Sequence, residues 1–170
     1  MRLDPALCER LAPGELTLCR YVSWQRDCGY ASPVAGAEAA AGFGLLEPLG
    51  EGHVAALAPG RWVWIATDAA EAPFAAAGSV CADLSASVIG YRIARSRLDG
   101  LLRRHAPAAL DCDLLAPGFR RIGFASWTIE LAILPDRPAI ALVPRGHADN
   151  FDVLASARLA AGPYSKGTSQ

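Results

Sequence analysis

The side chains able to do chemistry are few and scattered along the chain. Ser79, Ser85 and Ser87 lie close to Asp83, but no histidine stands near them to act as a base for a nucleophile. Turn or cap roles fit them better. Asp111 and Asp113 flank Cys112, so an extended backbone would point both carboxylates the same way. An acid–base pair needs burial to raise one pKa, and the nearby Pro117-Gly118 turn reads as a solvated loop instead. Gly42-Phe43-Gly44 opens like a dinucleotide loop, yet Glu47 stands where the third glycine belongs. Lys166, the only lysine, lies near the C-terminal end, so no phosphate-cradling P-loop exists. No GxSxG elbow, HExxH pair or zinc-deaminase pattern occurs.

The remaining titratable groups are similarly dispersed. His53, His105 and His147 stand singly, as do Cys8, Cys19, Cys28, Cys81 and Cys112, without CxxC spacing; a zinc cage or disulfide framework has no support, and the thiols read as reduced and structural. Arg120 and Arg121 adjoin Phe119 and Phe124, but neighbouring strand arginines point to opposite faces, which disfavours one phosphate site. Arg145 follows a buried strand and enters a helix N-terminus, where the dipole disfavours a cation. Such an arginine implies a specific carboxylate partner, within the chain or across an interface.

These residues need elements to hold them. Leu16 to Val22 reads as a strand, followed by turn chemistry at Asp27–Pro33 and an Ala/Gly-rich stretch at 35–44. His53–Leu57 and Arg61–Ala66 flank Ala58-Pro59-Gly60 as a hairpin. The second of these strands carries Trp62 and Trp64 on one face, Val63 and Ile65 on the other. A strand apolar on both faces is central or covered by another chain. A short helix is expected over 68–77, then a strand over 87–93. Ser96 with Asp99 opens a helix whose Leu98, Leu101, Leu102 and His105 form one stripe, ended by Pro107. Strands follow at 119–126, 128–134 and 139–143, the last two joined by Pro135–Pro138. A final helix spans 147–161 and stops at Gly162-Pro163. The order predicts an α+β fold with mixed, mainly antiparallel sheets and helices on one face, compatible with two ferredoxin-like halves. The chain divides into an N-terminal extension (1–50), an α+β domain (51–162) and a tail (163–170).

Composition narrows the classes further. The 170 residues are 52% hydrophobic and 19% charged, enough for a core without metal or disulfide. Much of the apolar total is alanine, which buries little area per residue. Sixteen basic against 17 acidic residues leaves no basic excess for nucleic acid. No run is long and apolar enough to span a bilayer, and the first residues lack a basic-then-apolar leader, so a cytoplasmic location is expected. So thin a polar shell also suits a subunit covered by partners.

The order of short motifs resembles the gamma subunit of heterotetrameric sarcosine oxidase. Ala82-Asp83-Leu84-Ser85, the strand from Val88, the leucine-rich helix after Ser96, Leu110-Asp111, Pro117-Gly118 and Val143-Pro144-Arg145 follow one another as in that family. Trp62 to Ala66 resembles its Trp-containing strand. The resemblance covers about residues 53 to 160. It departs at Ala94-Arg95-Ser96, where the family has Gly-Pro, at Arg120–Gly123, and at Gly146, where a serine commonly stands. It implies an aminomethyltransferase-like fold, with FAD, FMN, NAD and tetrahydrofolate held by larger partner subunits and no cofactor in this chain. The expectation is a non-catalytic accessory subunit of a flavin-dependent sarcosine or N-methyl amine oxidase or dehydrogenase. Trp62, Trp64 and Arg145 are its interface candidates. The rivals are a stand-alone folate-binding one-carbon carrier, with Asp83 or Glu130 as the acid on the pterin, and a generic interaction domain.

Overall fold

The computed structural model describes residues 3–23, 32, 34, 43–68, 70–106 and 115–157. Ten strands run in chain order: β1 (Cys8–Arg10), β2 (Leu16–Ser23), β3 (Glu47–Leu49), β4 (Gly52–Ala58), β5 (Arg61–Thr67), β6 (Ser79–Asp83), β7 (Val88–Ile93), β8 (Gly118–Phe124), β9 (Trp127–Ile133) and β10 (Ala139–Pro144). Helix α1 covers Arg95–His105 and α2 covers Ala148–Ser156. The strands form two five-stranded sheets, ordered β1-β7-β10-β9-β8 and β3-β4-β5-β2-β6. Every pairing is antiparallel. The fold is α+β, as the pattern of elements predicts.

The period-two alternation of the strands sorts the core into three apolar layers. Tyr91, Ile93, Ile129, Leu131, Ala141 and Val143 turn one face of the first sheet toward Leu98, Leu101 and Leu102 of α1 and Phe151 of α2. From the opposite face, Ile140, Leu142 and Ala132 meet Leu16, Leu18, Val63 and Ile65 of the second sheet. The outer face of that second sheet carries Trp62, Trp64, Ala66, Cys19 and Tyr21 beneath Val34 and Ala70. Both helices therefore lie against one sheet, and irregular chain covers the other.

Several local expectations are met in detail. The β4–β5 hairpin turns at Gly60, with φ +66°, and the β9–β10 hairpin at Asp136, with φ +53°. Others are corrected. Residues 70–77 form no helix: Pro73 interrupts them, and their carbonyls serve the second sheet, accepting from Thr17 Oγ1 at Ala70 (3.0 Å) and from Tyr21 Oη at Pro73 (2.6 Å). Ser96 does not cap α1; the cap residue is Ala94, and Asp99 pairs instead with Arg103 one turn on, at 2.9 Å. Helix α2 ends by Ser156, where Arg97 Nη2 from α1 donates to the carbonyls of Ala155 and Ala157. A buried cation at a helix C-terminus satisfies both the orphan carbonyls and the dipole. The stretch 1–50 supplies β1, β2 and β3, with β2 between β5 and β6 in the second sheet. Pro107, Leu110–Asp113, Gly162-Pro163 and the tail lie outside the described residues.

Gly44 ties the two sheets together. Its N–H donates to Ala56 O of β4 (2.7 Å) and its carbonyl accepts from Phe119 N of β8 (2.5 Å). A Cβ there would sit 2.9 Å from the Phe119 carbonyl, and φ is +75°, so glycine is required on both counts. The Gly-Phe-Gly run is thus a structural strap at its described end.

Candidate functional site

Asp83 ends β6 and Arg145 follows β10, and the fold brings these two sequence candidates to one cleft of about 400 Å³. Arg10, Leu16, Ser85 and Val88 also line it. The Asp-Leu-Ser turn is built by its own hydrogen bonds. Ser85 donates to Asp83 Oδ1 through both its backbone N–H (2.8 Å) and its hydroxyl (2.6 Å), while the same hydroxyl accepts from Leu18 N of β2 (2.9 Å). These bonds to the charged form hold the Asp83 carboxyl below its usual range, so it stays ionised. Its Oδ2 has no partner among the described residues.

Arg145 is exposed and donates through Nε to the Ala86 carbonyl at 2.8 Å. The expected carboxylate partner is absent among the described residues: its guanidinium is held to backbone, and the residue lines the cleft. Arg10 is anchored to Asp152 of α2 at 3.2 Å. The cleft thus offers a carboxylate oxygen and two guanidinium groups, but no histidine and no nucleophile–base pair among its lining residues. Its chemistry is recognition of a polar or charged group.

Glu130 is elsewhere. It projects from β9 and forms an ion pair with Arg20 of β2 at 2.5 Å, linking the two sheets. Arg20 also lies over the Phe119 ring, 5.5 Å from its centroid. With its charge committed to Arg20, Glu130 fits a pterin poorly. Asp83 and Glu130 do not share a site.

Trp62 and Trp64 are buried within the chain, 2% and 1% exposed, and Trp64 Nε1 donates to the Leu49 carbonyl at 3.1 Å. Neither presents a surface to a partner. The two-faced apolar strand arises because β5 is central and its outer face is roofed by the chain itself. Cys8 and Cys19 are buried too, and burial pushes each thiol up to about 12, assisted for Cys19 by the neighbouring exposed Cys81. Cys28 and Cys112 lie outside the described residues. No grouping able to hold a metal ion occurs among the described residues, and no described helix is long and apolar enough to cross a membrane.

The histidines keep separate neighbourhoods. His53 lines a smaller cleft of about 240 Å³ with Arg137 and the Asp68–Arg92 ion pair (3.1 Å), and burial, then Arg137, lowers its pKa. His105 packs on Phe124 and is likewise lowered, chiefly by burial. His147 stacks on Trp127 with the rings 4.9 Å apart and 7° from parallel. Arg20, the partner that decides the fate of Glu130, was missed in the sequence because the two stand in different sheets far apart in the chain.

No family model matches the sequence, and no curated protein matches it. Among solved structures, a chain of the heterotetrameric sarcosine oxidase from Corynebacterium sp. U-96, determined in complex with pyrrole 2-carboxylate, shares the fold. The TM-score is 0.60 at 14% identity, over 91% of this chain and 85% of that one. At that identity the likeness is one of fold, and it extends over nearly the full length of both chains.

Proposed function

We propose that the protein is a non-catalytic accessory subunit of a hetero-oligomeric, flavin-dependent amine oxidase or dehydrogenase, of the gamma type in a sarcosine oxidase-like complex. The observation that carries this reading is the fold shared, nearly end to end, with a chain of a heterotetrameric oxidase. The motif order at Asp83–Ser85, Val88 and Val143–Arg145 supports it, and so does the structural employment of the polar groups: Glu130 holds Arg20, Ser85 holds the Asp83 turn, and Arg97 caps α2. FAD, FMN, NAD and folate would belong to the larger subunits. Their part here would be indirect, with this chain holding a large subunit in shape.

The test is purification of the tagged chain from its own host at native expression. A stoichiometric partner carrying flavin absorbance is the expected result. Recovery of the chain alone, from cells that express it with its genomic neighbours, overturns the reading.

One observation favours a second reading, a chain that binds a folate itself. Asp83 keeps a free carboxylate oxygen in a cleft that also holds Arg145, a pairing suited to a ligand with an amino-heterocycle at one end and carboxylates at the other. Calorimetry with tetrahydrofolate separates the two: micromolar binding abolished by Asp83→Ala supports the folate reading, and millimolar or no binding ends it.

A further inference from the structure

The two sheets have four edges, and three carry the usual protections against pairing with another strand. Edge β1 is three residues long and laced with ion pairs, Glu9 to Arg92 and Arg10 to Asp152. Edge β3 is also three residues, with Pro48 at its middle. Edge β8 carries Arg120 and Arg121. Among the described residues, edge β6 has none of these devices over residues 79–82. Its sequence is Ser-Val-Cys-Ala-Asp, its register with β2 is uninterrupted, and four of its five residues are exposed. Its one charge, Asp83, stands at the last residue and is held through Oδ1 by Ser85, so residues 79–82 carry no charge.

The surface beside this edge is apolar. Val80 is 40% exposed and pairs in register with Val22, itself 37% exposed, while Leu84 continues the line. Beyond them, between the sheets, lies a groove of about 310 Å³ floored by Leu18 and Leu142. Two arginines reach it, and they differ. Arg20 is ion-paired with Glu130, whereas Arg121, across the β8–β9 ladder from that same Glu130, is exposed and makes no ion pair among the described residues, so the two arginines and one carboxylate leave a net positive charge.

We infer that β6 and the adjoining groove dock an extended segment of a partner chain, which adds to the sheet as a further strand and presents alternate apolar side chains and one carboxylate to Arg121. A strand edge with no partner among the described residues calls for a strand, since main-chain hydrogen bonds give such pairing its affinity. The apolar groove calls for alternate apolar residues, and Arg121 fixes the sign of the charge. A second copy pairing through its own β6 fits less well, because Asp83, the only acid of that strand, stands in register with Cys19 on the face away from Val80 and the groove. The inference deepens the accessory-subunit reading by naming a surface for the partner.

The test uses the full chain against a displayed library of random linear peptides, with affinities measured by fluorescence anisotropy. Enriched peptides should alternate apolar residues with Asp or Glu. Their binding should slow amide exchange across 79–83, a change that altered stability alone would not confine to one strand. Val80→Lys should weaken them about tenfold or more, and Arg121→Glu should switch the selected charge to Lys or Arg. Val80 and Arg121 are partly or fully exposed, so both variants should fold, and circular dichroism checks this. The proposal is overturned if no linear peptide is enriched, if binding ignores both substitutions, or if the edge is occupied by a concentration-dependent dimer that Val80→Lys dissolves. A native complex that survives Val80→Lys also overturns this surface, yet leaves the accessory reading standing; loss of any complex from the native host removes that reading without touching the peptide result.

Discussion

Ser85 shows how much one small side chain can organise. Its hydroxyl accepts from Leu18 N and donates to Asp83, so it joins the turn after β6 to the strand beside it while holding a carboxylate ionised. Ser85→Ala leaves the half-buried Leu18 N–H without its acceptor, and we expect a loss of about 1–3 kcal/mol in denaturant unfolding. The same substitution removes the first cause of the lowered Asp83 pKa, so an NMR titration should find that carboxyl returned toward its ordinary range. An unchanged titration would mean that the backbone N–H of Ser85 alone sets it. Asp-Leu-Ser stood out in the sequence as a motif, but its role did not. The bond to Leu18 spans 67 residues, and no local pattern encodes it.

At the scale of elements, β5 carries the clearest lesson. Its alternation was legible: Trp62 and Trp64 on one face, Val63 and Ile65 on the other, is how the layers divide them. What covers the tryptophan face was not legible, because the roof is irregular chain whose residues 70–77 look helical by composition and are instead bound through their carbonyls to Thr17 and Tyr21. Since both tryptophans are core, Trp62→Ala and Trp64→Ala should each cost about 3–5 kcal/mol in the isolated chain. A cost below about 1 kcal/mol would place them at a surface instead. Helix α1 and strands β7 and β9 were readable from their periodicity, β8 from an imperfect alternation, and β10 as a short, wholly apolar run after the Pro135–Pro138 turn. Strands β3 and β6 were not: one is three residues with a proline, the other a small polar-apolar segment whose strand character comes from its neighbour β2. Of the site candidates, Asp83 and Arg145 meet in one cleft, while Glu130 is claimed by Arg20 from the other sheet, a pairing set only by how the sheets stack.

The whole molecule is a three-layer stack in which polar groups mostly serve the fold. Its response to acid follows from two histidines that burial keeps neutral. His53 and His105 both have folded pKa values below 6.5, so the unfolded chain binds protons more readily than the folded one. Their contribution to stability is whole above about pH 6.5 and is lost as the pH falls toward the folded values. Thermal unfolding followed from pH 7.5 down to 5 should show a falling midpoint, and His53→Gln should flatten part of that slope; a midpoint that rises on acidification would contradict it. The alanine-rich, charge-poor composition also takes on meaning at this scale. The tryptophans do not account for it as interface, but edge β6 and the groove beside it combine apolar surface with a strand edge that has no partner among the described residues. The accessory-subunit account stands or falls on whether this chain lives in a larger assembly. The most direct measurement is light scattering with simultaneous flavin absorbance on the chain isolated from its own host. A single species of several times the 17.8 kDa chain mass, absorbing as flavin and containing this chain in fixed stoichiometry, is the expected result. A colourless species at the mass of the chain alone would contradict it.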